Sequence, residues 1–230
     1  MFDFPNAPTV GAIYSPAGGP SWQWDGTVWK LVSSVAIADA PSDGNEYVRV
    51  NGVWRLKHQM FNPTGAAGQN ITVPVPAKAA RVYGKIYLGT QPSAPLLRAS
   101  ADGSTFLSGA SDYSVASTTL PTGTGTSPAK AVAAAASGMP LATTTDVTNI
   151  PVTFDLDLMV SKPASPALFG ARWHGSSYNT NAATGYVDVL GNGYLAAAAF
   201  TALTQLPAFQ IIPSGGSWAA GSLIKVEWVY

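Results

Sequence analysis

Asp155 and Asp157, in PVTFDLDLMVS (151–161), are the carboxylate pair best placed to do chemistry. On a strand, residues two apart share a face and stand roughly 6.5–7 Å from one another. That is wider than the roughly 5–5.5 Å of a retaining glycosidase and near the inverting range. Adjacent acids on one strand rarely flank a substrate from both sides, so a glycan-cleaving role is the weaker reading. With further oxygens the pair would contribute to a Ca²⁺ site, and Asp155 and Asp157 are weak metal candidates on that ground. The plainer expectation is a solvent-facing polar stripe, with Phe154, Leu156 and Leu158 turned to the core.

Other catalytic constellations are thin. The two histidines are His58, placed in a link between modules, and His174 in RWHGSSYN, read as a polar strand or loop residue. No GxSxG elbow sets a serine apart. The glycine-rich pieces TGTGT and GNG are followed by no Lys-Ser/Thr and match no phosphate-binding motif. No catalytic residue and no cofactor are expected, and the chain reads as a non-enzyme.

Aromatic residues carry more signal. SWQWDGTVWKLV (21–32) holds three tryptophans within eight positions. Exposed Trp and Tyr faces suit the apolar face of a sugar ring and also make interface hot spots. Trp29 and Trp54 recur in two copies of a repeat and read as a mini-core, because a small domain needs aromatic area to bury. Trp22 and Trp24 have no counterpart in the second copy. With Tyr14, Tyr47 and the later Trp173, they are the candidates for contact with a partner or a glycan.

The repeat that positions them is degenerate. NAPTVGAIYSPAGGPSWQWDGTVWKLV (6–32) aligns with DAPSDGNEYVRVNGVWRLK (39–57): Ala-Pro-Ser/Thr, a Gly, a Tyr, a short strand, a turn, a Trp, a basic residue and Leu. Asp25-Gly26 and Asn51-Gly52 supply the positive φ angles of two-residue hairpin turns. Each copy therefore predicts a β-hairpin with an aromatic face, and the two together, joined by SSVAIADA, predict an N-terminal module over residues 1–58.

From Asn62 the texture changes to short alternating runs between turns. These are ITVPVPA (an edge strand, given its prolines), ARVYGKIYLG, PLLRASADGSTFLSG around Asp102-Gly103, the Asp155 strand, PALFGARWHGSSYN, TGYVDVLGNGYLAAAAF, LPAFQIIPSGG and a final SLIKVEWVY. Their spacing predicts an all-β sandwich or barrel over 62–230. The single helix candidate is SPAKAVAAAASG (127–138), capped by Ser and closed by Gly, inside a low-complexity stretch at 118–149. The apolar final strand is edge-capable, and burial in the sheet or in an oligomer would protect it.

Composition sets the outer bounds. The 230 residues are 47% hydrophobic and only 10% charged, with zero net charge and no cysteine. A folded chain is expected. Disulfide scaffolds and thiolate metal sites are excluded, and the balance argues against nucleic-acid binding through a basic field. The start MFDFPNAPTV has no signal-peptide pattern, and runs such as YLAAAAF are too short to span a bilayer, so a soluble protein made in a cytoplasm is expected. Low surface charge is tolerable in a permanent assembly.

The repeat segments resemble short pieces of tailed-bacteriophage structural proteins. Tail-fibre and other virion proteins carry P-x-x-P-x-x-G…Y…W-x-W-[DN]-G-x-x-W hairpins near their N-termini. The ending IIPSGGSWAAGSLIKVEWVY is similar to the last hairpin of phage jelly-roll domains. The resemblance implies a small hairpin-repeat module followed by a jelly-roll-like antiparallel β-sandwich. It further implies a virion structural role as tail fibre, spike, head fibre or decoration protein, assembled in a host cytoplasm. The implied partners are other virion proteins, further copies of the chain (a trimer favoured) and a host cell-surface glycan. No catalytic residue comes with it. The alternative is a free carbohydrate-binding module or lectin using Trp22, Trp24 and Trp173.

Overall fold

The computed structural model describes residues 4–6, 8–16, 20–32, 39–89, 93–121, 129–143, 150–164, 168–179 and 185–230. The linker residues 33–38 and the low-complexity residues 122–128 and 144–149 lie outside them.

The protein is all-β. Three short strands, β1 (Ile13–Tyr14), β2 (Trp22–Trp24) and β3 (Trp29–Leu31), form one small antiparallel sheet. The remaining strands are β4 (Glu46–Val50), β5 (Val53–Phe61), β6 (Gln69–Thr72), β7 (Ala79–Ile86), β8 (Pro95–Ser100), β9 (Tyr113–Pro121), β10 (Ala129–Ala136), β11 (Met139–Pro140), β12 (Val152–Met159), β13 (Gly170–Asn179), β14 (Gly185–Leu195), β15 (Ala208–Pro213) and β16 (Leu223–Val229). They form a nine-stranded sheet, β10-β9-β14-β13-β12-β7-β16-β5-β4, and a four-stranded sheet, β11-β8-β15-β6.

The chain passes repeatedly between these two sheets. β6, β8, β11 and β15 belong to the small sheet, while β7, the β9–β10 pair, the β12–β13–β14 meander and β16 belong to the large one. Alternating sheets in this way gives an antiparallel β-sandwich. Both inner faces feed one apolar core: Ile71, Leu97, Phe209 and Ile211 from the small sheet meet Val82, Phe154, Leu156, Trp173, Val226 and Trp228 from the large one. Phe209 and Trp228 touch across the sandwich with ring centroids 6.3 Å apart. The alternation that predicts the strands is realised: in β12, Val152, Phe154, Leu156 and Leu158 are buried, and the residues between them face outward.

Two expectations change. The boundary falls between Ser42 and Asp43, not near residue 60, because the second repeat copy is the β4–β5 edge of the nine-stranded sheet. β5 runs on nine residues to Phe61 and pairs with β16, so hydrogen bonds from the body of the sandwich capture the hairpin. The helix candidate is instead strand β10, whose register with β9 runs from Ala129↔Thr119 to Ala133↔Val115. Alanine's local preference for helix is a weak prior beside a ladder offered by a neighbouring strand. The final strand gains one of the two protections expected of it, since β16 lies inside the sheet between β7 and β5.

Turn chemistry separates the two copies as well. Asn51 and Gly52 both have positive φ (49° and 81°), as a two-residue hairpin turn requires. The Asp25-Gly26 turn works differently. Only Gly26 is left-handed, and the Asp25 carboxylate accepts the N–H groups of Thr27 and Val28, both at 2.9 Å. Asp102 does the same for Ser104 and Thr105, at 2.8 and 2.7 Å, ahead of the left-handed Gly103.

Candidate functional site

In the N-terminal unit (1–42), directly opposed residues share a sheet face. Tyr14 stands opposite Trp22, Trp22 opposite Leu31, and Trp24 opposite Trp29. All of these aromatic side chains therefore lie on one side of the sheet. Phe4 covers that side, with ring centroids 5.3 Å from Tyr14, 5.5 Å from Trp22 and 5.4 Å from Trp29. Trp24 leans on Trp29 at 5.6 Å. The expected division between a core Trp29 and outward Trp22 and Trp24 does not hold, because one cluster contains all three. Phe4 escaped the sequence reading because it lies outside the repeat pattern. Its signal is the FDFP apolar pair just ahead of the first copy.

The second copy puts its aromatics to other use. Trp54 stands opposite Arg49, whose guanidinium lies 5.9 Å from the indole centroid. The Tyr47 hydroxyl donates to Asp43 at 2.6 Å, which raises the phenol's pKa and lowers that of the carboxyl. Trp54 is thus half-buried on the edge hairpin of the sandwich.

Trp173 is withdrawn as a platform. It points inward, 4% exposed, in the sandwich core. It lies over Gly191, its cross-strand neighbour, where a Cβ would strike the indole.

The outer face of the nine-stranded sheet gathers the polar candidates. One row crosses six strands in register: Glu46, His58, Glu227, Arg81, Asp157 and Arg172. Charges of opposite sign stand opposite one another along much of it, the arrangement that favours cross-strand pairing. Arg81 Nε is 3.4 Å from Asp157, and His58 Nδ1 is 3.6 Å from Glu46. Lys57 bonds Glu46 at 3.1 Å and Lys225 bonds Glu227 at 2.6 Å, which lowers both carboxyl pKa values. His58 is therefore a strand residue between two carboxylates, not part of a link.

The neighbouring row reads Met60, Lys225, Tyr83, Asp155, His174 and Leu190. His174 Nε2 comes within 3.9 Å of Asp188 on β14. Asp155 and Asp157 do share the solvent face, and Asp157 is answered by Arg81. Among the described residues no group of three or more His, Cys, Asp or Glu side chains could hold a metal ion. The alternations in RVYGKIY and IKVEW carried the Arg81, Tyr83, Lys225 and Glu227 face, but their mutual registration was invisible before the strand order was known.

A shallow hollow lined by Leu96, Ser117, Pro140, Ala142, Val189 and Ser214 holds hydroxyls but no charged side chain, so it offers nothing for acid–base chemistry.

No protein-family model, no curated protein and no solved structure matches this chain.

Proposed function

We propose that the chain is a structural component of a tailed-phage virion, a fibre, spike or decoration protein. In this reading it attaches to the particle through its N-terminal unit and presents the β-sandwich outward. The observation that supports it is the separation at residue 42: a small aromatic unit, whose repeat segment carries the resemblance, precedes a β-sandwich body. The low charge and the ion-paired outer face suit a protein held in a permanent assembly. The anchoring role rests on analogy with the resembling proteins. Its test is incorporation into particles. The full chain should co-purify with virions, and a chain lacking residues 1–42 should not. Equal incorporation of both defeats the anchor assignment.

One observation favours a second reading, a glycan-binding module. Tyr83 is 38% exposed on the outer face of the large sheet, directly opposite Asp155, whose other cross-strand neighbour is His174. In this reading that face takes the place given to Trp173. Titration of the chain with a broad glycan panel tests it, and absence of any change in intrinsic fluorescence or heat counts against it.

A further inference from the structure

The outer face of the nine-stranded sheet carries a row of charges that is complementary to its own reverse. From β4 to β13 the row reads Glu46, His58, Glu227, Arg81, Asp157 and Arg172, one residue from each of six neighbouring strands. Acidic and basic residues alternate, so it starts on a carboxylate and ends on a guanidinium. Its midpoint lies between β16 and β7. Turned end for end about that midpoint, the row brings every carboxylate onto a basic residue: Glu46 onto Arg172, Glu227 onto Arg81, Asp157 onto His58. Within one chain Glu46 bonds Lys57 and Asp157 pairs with Arg81, whereas among the described residues Arg172 enters no ion pair. Arg172 stands exposed at the end of the row. The flanking rows fit the same turn. On one side Val229 and Ala79 stand opposite each other and exchange places, so apolar meets apolar, with the exposed Met159 next to Ala79. On the other side Lys225 and Tyr83 exchange places, an ammonium against an exposed ring. Met60 and Asp155 exchange places as well, which opposes no charge to a like one.

We infer that this face is an interface, and that its occupant is a second copy of this chain, packed face to face about a two-fold axis that runs along the strands between β16 and β7. An isologous contact sets one patch against itself, so that residue i meets j and j meets i. A row complementary to its own reverse satisfies that condition, and a patch of single sign does not. A two-fold axis running across the strands would set each charge against its own image, so the charges select the axis along them. Sheets packed face to face keep their strand directions within about 30° of each other, as this axis requires. Zero net charge leaves little long-range repulsion between copies. The inference is independent of the virion reading. It covers the face that the glycan reading leaves open, so a glycan and the second copy would compete for Tyr83.

The two ends of the row provide the test, because Glu46 and Arg172 lie five strand spacings apart in one chain, about 24 Å, and meet only between copies. Arg172→Glu and Glu46→Arg are made separately in the full chain. Masses are read at low salt by light scattering after size exclusion over a concentration series, with circular dichroism as the folding check. The wild-type chain is expected to reach twice the 23.7 kDa of one copy. Each variant alone sets two like-charged pairs across the axis and should dissociate at least about tenfold more readily. An equimolar mixture of the two variants restores both pairs and should recover the wild-type dimer. A wild-type chain that stays monomeric or forms a trimer overturns the inference. So do variants that dimerise as the wild type does, or a mixture no tighter than either variant alone. Should Glu46→Arg fail to fold, Arg172→Lys is compared with Arg172→Glu: the lysine variant must keep the dimer that the glutamate variant loses, and equal loss in both overturns the inference.

Discussion

The Tyr113 hydroxyl lies 2.8 Å from the backbone nitrogen of Ala99 and ties the nine-stranded sheet to the four-stranded one. It accepts that N–H and donates to the Leu107 carbonyl at 2.9 Å, from a side chain with no exposed surface. Tyr113→Phe leaves both backbone groups without this partner. The expected cost is about 1–3 kcal/mol, read as a lower urea midpoint with unchanged slope.

The same residue predicts alkaline behaviour. Burial pushes the Tyr113 phenol up to about 12 from its ordinary 10.0. The unfolded chain gives up this proton first, so between these values the folded state binds more protons and stability falls as pH rises. Below pH 10 the contribution is fully present. Through pH 12 it is lost, about 2–3 kcal/mol in all. Tyr113→Phe should flatten this part of the stability–pH curve, and an unchanged slope would contradict the assignment.

Glycine at 191 is required by the indole above it. Gly191→Ala drives a methyl into the Trp173 ring and should cost about 1–3 kcal/mol by overpacking. Adding Trp173→Phe makes room, so the double variant should lose less than the sum of the single losses. A strictly additive result would show that the two sites do not touch.

The unit boundary is testable by truncation. Removing residues 1–42 leaves every strand of the sandwich paired, and the melting temperature of 43–230 should stay close to that of the full chain. Removing 1–61 deletes β4 and β5 and bares β16, including the ladder partners of Ile224 and Val226. That product should aggregate or melt markedly lower. Light scattering on heating separates the two.

Asp25 and Asp102 each hold a turn by accepting two backbone N–H groups. The Lys30 contact first, then these bonds, lower the Asp25 pKa, and the backbone bonds of Thr105 and Ser104 lower that of Asp102. A depressed carboxyl stabilises above its unfolded value of 3.8, and that stabilisation is lost as pH falls through the folded value. Amide exchange of Thr27, Val28, Ser104 and Thr105 should therefore quicken below pH 3.8 while core amides stay protected. Asp102→Asn should blunt the response at its own turn only.

Much of the fold was legible because the code for it is local. Period-two alternation in VTFDLDLM and LIKVEWV sets which side chains face inward, and β12 and β16 obey it. The Asn51-Gly52 turn is likewise dictated by two residues. β10 was not legible, because an alanine run carries no period, and its conformation came from β9. The candidate site was half legible. That Asp155 and Asp157 face water follows from alternation. That Arg81 answers Asp157 depends on β7 lying beside β12, more than sixty residues away in sequence.

The sequence by itself determined an all-β chain, the inward and outward faces of its strands and the presence of two related hairpin segments. These follow from the alternation of side chains along an extended backbone and from turn residues that act where they stand. Only the tertiary structure decided where those two segments belong. One closes an aromatic cluster under Phe4 and the other becomes the edge of a nine-stranded sheet. The repeat specifies a hairpin, whereas its neighbours specify what the hairpin packs on, because hydrogen bonds between strands and burial of a face are made with residues far along the chain.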